Sequence, residues 1–169
     1  YPPRFDNAAD QQRAAAEAKL LAELYHLLIK TQVITPKQPE YTDFLSEAAR
    51  ANVLAHNLAI PNSAQMADKY YQAWIARLNG KEKARAQGEF GLFLASSNRI
   101  DRAIPLLKQA LKNGDPLANR ALGIAYVKKG NTAEAQRYLQ AHLKNHPQDK
   151  QTTEVLDAIK NGRVETKRQ

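Results

Sequence analysis

Cysteine is absent from the 169 residues, which excludes disulfide staples, thiolate metal sites and cysteine nucleophiles without assigning a redox compartment. Long apolar runs are absent too. The densest stretch, Leu20 to Ile29, falls short of the roughly 18 to 20 uninterrupted apolar residues of a membrane-spanning helix, so a soluble chain without a transmembrane segment is expected. An initiator methionine is lacking: a chain beginning Tyr1-Pro2-Pro3-Arg4 reads as trimmed, or as mature after removal of a targeting peptide. Strand patterning is scarce, because β-branched residues do not alternate with polar ones. The glycines stand singly, and no phosphate loop, nucleophile elbow or recognisably spaced carboxylate pair occurs. Neither enzymatic activity nor a cofactor is expected.

What is present is charge of one sign in one place. Residues 1–80 carry 8 basic and 8 acidic side chains, whereas residues 81–169 carry 17 and 9, so the whole net charge of +8 lies in the second half. Such asymmetry fits an anionic partner; it equally fits a solvated repeat surface with a basic tail (Arg163, Lys167, Arg168).

Alanine, leucine, lysine, glutamine and glutamate dominate, and helix punctuation is frequent. Asn79-Gly80, Asn113-Gly114, Lys129-Gly130 and Asn161-Gly162 read as helix stops. Asp115-Pro116 reads as an N-cap followed by the first helical residue, and Ser63, Thr132 and Asp149 stand where further caps are needed. Together these marks predict about eight helices, near residues 7–31, 41–59, 63–79, 82–96, 100–113, 116–129, 132–145 and 149–161. Short links between them force antiparallel hairpins that stack into an α-α superhelix, an all-α solenoid. Pro36 and Pro39 break the chain between a long first helix and the rest, which makes 33–40 a candidate boundary. Pro105 falls inside a predicted helix, where the penalty is small only if the helix begins near Asp101.

The second half repeats itself at a displacement of 32 residues: Gly91 with Gly123, Ala103 with Ala135, Leu107 with Leu139. The glycines and alanines permit close helix approach, and the leucines are expected to fill the space between hairpins. Over Pro116 to Asp149 the chain resembles the tetratricopeptide repeat, carried by Leu122, Gly123, Tyr126, Gly130, Ala135, Leu139 and Pro147. The copy from Ala84 to Asp115 keeps Phe90, Gly91, Leu94, Ala103, Leu107 and Ala110, but has Asp115 at the closing proline. Gln87 and Asn119 stand where the family has an early tryptophan. A weaker copy from Ala48 to Lys81 has Leu54, Ala55, Leu58, Ala67 and Tyr71 in matching places, and Asp149 to Asn161 reads as a capping helix. The domain reading is therefore a long helix and linker (1–40), a degenerate hairpin (41–83), two repeats (84–149), and a cap with a basic tail (150–169).

The resemblance implies that the first helix of each hairpin lines a concave groove. Its groove positions fall on Arg85, Leu92, Ala95 and Ser96 in one repeat and on Leu117, Arg120, Ile124, Val127 and Lys128 in the next; the weaker copy adds Asn52 and His56. An apolar floor with basic sides suits a peptide or protein bearing acidic and apolar residues. The family's carboxylate clamp is not expected, since Leu92 and Ala121 occupy its asparagine positions.

His142 and His146 stand one helical turn apart, the spacing at which two imidazoles can share a cation. Lys144 lies between them and no third ligand is evident, so they read as structural or incidental, and His26 as a packed core residue. The first helix is apolar on more than one stripe, through Ala14, Ala18, Leu20, Leu21, Leu24, Tyr25, Leu27, Leu28 and Ile29. Such a face is covered by the second and third helices or used between chains. The function expected is a protein-interaction scaffold, assisting assembly of an envelope complex such as a pilus or secretion system. It would sit in the periplasm or cell envelope, with the cytoplasm as the alternative. A nucleic-acid-binding module using the basic half is the competing reading. Against it, Phe90, Phe93, Tyr126 and Tyr138 stand at core-type positions rather than as stacking platforms.

Overall fold

The computed structural model describes residues 5–163; the start Tyr1-Pro2-Pro3-Arg4 and the tail residues Lys167 and Arg168 lie outside them. Among the described residues the chain is all helical, with eight helices and no strand. They are α1 (Ala8–Lys30), α2 (Tyr41–Asn57), α3 (Ser63–Ala76), α4 (Gly80–Ser96), α5 (Ile100–Lys112), α6 (Ala118–Lys128), α7 (Thr132–Asn145) and α8 (Lys150–Lys160). No described helix is long and apolar enough to cross a membrane. The chain divides into two compact units, one ending at Leu78 and one beginning at Asn79; the stretch 33–40 runs inside the first.

In the first unit, α1 lies on α2 through small residues, Ala18 and Ala22 against Ala51 and Ala55, with Tyr25, Leu58 and Ile60 around them. The tip of the Tyr25 ring meets Phe44 edge-on at 5.8 Å between centroids. His26 is half-buried, and its Nδ1 lies 2.8 Å from the Tyr70 hydroxyl of α3; burial pushes the Tyr70 hydroxyl up to about 12. Arg77 donates to the Pro36 carbonyl at 3.1 Å and to Thr42 Oγ1 at 3.2 Å, tying the proline-containing turn to the end of the hairpin. The weak third copy is an α2–α3 hairpin in which Ala55, Ala67 and Tyr71 are buried, while Leu54 is exposed. Only one side of α1 is covered. Leu20, Leu21, Leu24 and Leu27 stay exposed, so the second and third helices do not absorb the whole apolar face.

In the second unit α4–α5 and α6–α7 are hairpins, α6 packs on both helices of the hairpin before it, and α8 packs on α7. This is a solenoid segment. A Cβ built on Gly91 would meet Leu107, and one on Gly123 would meet Leu139, both under 3.0 Å. The repeated leucines therefore fill the space inside each hairpin, seated on the glycine of the first helix, rather than the space between hairpins. The reason is local: with no side chain on the glycine, the leucine one helix later can reach the backbone.

Helix ends correct several expectations. Asn79-Gly80 starts α4 instead of stopping α3, which ends at Ala76. α6 begins at Ala118, because Asp115 Oδ1 accepts from Leu117 N at 3.1 Å and shapes a turn ahead of the helix. Ser63 and Thr132 are first helical residues; Asn62 and Asn131 hold the cap positions, and the Asn131 side chain accepts from Glu134 N. Asp149 caps α8, as expected, by accepting from Thr152 N. α5 begins at Ile100, which leaves Pro105 in its second turn, where its missing N–H removes a genuine helix bond. Where α2, α4, α5 and α6 end, the amide of the residue that follows a left-handed residue folds back onto the last turn: Ile60 to Ala55, Arg99 to Leu94, Asp115 to Ala110, Asn131 to Tyr126. The left-handed residue is Gly114 or Gly130 in two cases, but Ala59 and Asn98 in the others.

Candidate interaction surface

The first helices of the two repeats, α4 and α6, pack on each other, and in each repeat a glycine-leucine contact holds the second helix against the first. That leaves one side of α4 and α6 facing away from α5 and α7. Leu92 is 44% exposed and Leu117 56% exposed, two of the large apolar side chains that find no cover within the chain. Ile124 and Val127, further along α6, are half-buried, and Arg85 and Ser96 are exposed. Ala95 is buried. The positions where the family has tryptophan hold buried polar groups that are satisfied: Gln87 Oε1 accepts from Asn113 at 3.2 Å, and Asn119 donates to the Pro116 carbonyl at 3.1 Å.

The basic residues have internal duties that no local pattern announces. Lys128 Nζ lies 2.8 Å from the Ala95 carbonyl and 3.3 Å from that of Ser96. It thus places a cation on the last carbonyls of α4, the negative end of that helix. Arg120 reaches from α6 to α8, donating to Thr152 Oγ1 at 3.2 Å and Gln151 Oε1 at 2.9 Å and pairing with Asp149 at 3.2 Å. Arg85 pairs with Glu89 one turn on, at 3.6 Å, and is exposed.

Asp149 is the hub of that end of the unit. One oxygen accepts from Thr152 N; the other accepts from Thr152 Oγ1 at 2.7 Å and lies 3.1 Å from Nε2 of buried His142. The bonds from Thr152, with His142 and Arg120 beside them, hold its carboxyl down at about 2. The His142 ring stacks on His146 at 4.6 Å between centroids. No group of three or more His, Cys, Asp or Glu that could hold a metal occurs among the described residues. Asp115, at the equivalent inter-repeat turn, instead packs its carboxyl where a side chain on Gly88 would lie, and burial pushes it up.

Asn52 and His56 belong to α2 in the first unit. Asn52 is buried and donates to the Ala48 carbonyl at 2.8 Å; His56 is half-exposed. Of the other predicted residues, Arg85, Leu92 and Ser96 lie on α4 and Arg120, Ile124, Val127 and Lys128 on α6, with Leu117 immediately before α6.

No curated protein and no solved structure matches the chain. Residues 94–155 match the family described as tetratricopeptide repeat, from the last turn of α4 to the middle of α8. Repeats of this kind are generally protein–protein interaction modules on a fold that is typically a non-catalytic scaffold. The glycine-leucine contact of the second repeat recurs in the first, and over residues 94–155 the chain is similar to the tetratricopeptide repeat.

Proposed function

We propose that the chain is a non-catalytic scaffold that binds a protein or peptide along the free side of α4 and α6, with apolar residues of the partner on Leu92, Leu117 and Ile124 and acidic ones near Arg85. An envelope assembly, such as a pilus or secretion system, is the setting we propose. The observation that carries the reading is the pair of exposed leucines, Leu92 on α4 and Leu117 at the N-cap of α6, the first helices of adjacent repeats. Burying apolar surface on association is favourable, so these two side chains are where apolar residues of the partner are expected to seat. Arg120 and Lys128 contribute positive potential while remaining tied to α8 and α4.

The test is capture of partners from the native lysate by the wild type and by Leu92→Glu/Leu117→Glu. Both sites are exposed, so the double variant keeps its fold by circular dichroism and loses the partners. Retention of every partner by the folded variant overturns the reading. The basic second half favours one alternative, nucleic acid. Phe90, Phe93, Tyr126 and Tyr138 are buried, which argues against base stacking. Salt separates the two readings: affinity for nucleic acid falls steeply and linearly on logarithmic axes, whereas apolar anchoring responds little.

A further inference from the structure

Eight large apolar side chains are exposed among the described residues, and five of them belong to α1 and the turn after it: Leu20 (65%), Leu21 (41%), Leu24 (51%), Leu27 (53%) and Val33 (58%). Along a helix turning about 100° per residue, Leu20, Leu24 and Leu27 fall within about 60° of arc, and Leu21 with half-buried Leu28 widens the stripe to about 120°. The stripe points away from Ala18 and Ala22, which hold α1 on α2. α1 is thus apolar on two sides and covered on one.

We propose that this stripe is a self-association surface, through which two copies of the chain pair leucine on leucine along α1. Area supports a dimer. At roughly 100 to 120 Å² of apolar surface per fully exposed side chain of this size, the four leucines of α1 contribute about 230 Å², and Val33 in the turn after it about 60 Å² more where it joins the contact. A dimer at the small end of the stable range buries about 600 Å² per partner, of which about 350 Å² is apolar. Half-buried Leu28 and exposed Ala16 and Thr31 beside the stripe make up the remainder. Charge supports identical partners. A two-fold axis sets a patch against itself, so a charged patch would repel its copy. From Leu20 to Thr31 the leucine stripe itself carries no charge, with Glu23 and Lys30, of opposite sign, bordering it on one side; Asp10, Arg13 and Glu17 occupy the stripe's side only in the N-terminal half of the helix. The inference concerns the first unit and does not depend on the partner surface proposed for the second.

Sedimentation equilibrium of the full chain over a concentration series tests it. The wild type approaches twice 18.9 kDa, and Leu20→Glu/Leu24→Glu remains helical while its dimer dissociation constant rises by about 30-fold or more. Leu117→Glu, at an equally exposed leucine of the second unit, leaves the mass unchanged. A second readout does not rely on glutamate being tolerated. Because the chain has no cysteine, Leu24→Cys at the centre of the stripe gives a disulfide-linked dimer on mild oxidation, and Leu117→Cys does not. A wild type that stays monomeric at about 100 µM assigns the stripe to another occupant and overturns the proposal. So does a dimer that survives the double substitution, or cross-linking that is equal at the two cysteines.

Discussion

The two units use the same material, antiparallel helices rich in alanine and leucine, and differ in what holds their neighbours together. In the second unit each hairpin is closed by a leucine seated on a glycine, and α6 is tied by side chains to the helices two before and two after it: Lys128 to the end of α4, Arg120 to α8. In the first, α1 meets α2 through alanines and a few aromatic edges, and a leucine stripe is left over. The difference teaches that repetition is itself a means of coverage. A repeat is flanked by others whose faces fit it, whereas a helix outside the repeat has to find cover for its second side elsewhere.

The sharpest way to break this contrast is at the glycine seats. Gly123→Val places two methyls where Leu139 lies and is expected to cost about 2–3 kcal/mol in denaturant unfolding. In Gly123→Val/Leu139→Ala the losses fall short of the sum by more than about 1 kcal/mol, because one substitution removes the clash of the other. Leu24→Glu in the first unit, measured at a concentration where the chain is monomeric, changes stability by no more than about 0.5 kcal/mol.

Next comes Asp149. Its carboxyl is held at about 2, below its ordinary 3.8, so the charged form stabilises the fold. That contribution is complete above pH 4 and is lost as pH falls from about 4 towards 2. Thermal melts should therefore show the wild type losing stability over that window more steeply than Asp149→Asn. Asp115 runs the other way. Burial raises it, so its contribution favours the fold at low pH and is lost as pH rises past 3.8. A modest effect of the opposite sign is expected in the first unit at Ala59, which follows the end of α2 in the left-handed conformation (φ 60°). Ala59→Gly should raise stability by about 0.5–1 kcal/mol, by removing the Cβ clash of that conformation.

Much of the fold was legible because it is periodic. The 32-residue displacement of Gly91, Ala103 and Leu107 marks both hairpins, and glycine marks the ends of α5, α6 and α8. Legibility ended where the cause was not local. Ala59, Asn62 and Asn98 take positive φ without being glycine, so their turns carry no strong signature. Gly80, with the same freedom, opens a helix where a stop was read. The surface on α4 and α6 could be placed by its repeat register, but the roles of its charges could not. Lys128 meets the Ala95 carbonyl 33 residues away, and His26 meets Tyr70 44 residues away. Neither spacing leaves a mark in the order of residues.

The central claim is that partners are held on the first helices of the repeats, and the missing cysteine makes it directly measurable. Single cysteines carrying a photo-reactive cross-linker are introduced at Leu92 and Leu117 on the proposed surface, and at exposed Gln109 and Gln140 on α5 and α7. The partner captured by the wild type is predicted to cross-link from Leu92→Cys and Leu117→Cys and not from Gln109→Cys or Gln140→Cys; cross-linking from the second helices alone would contradict the account.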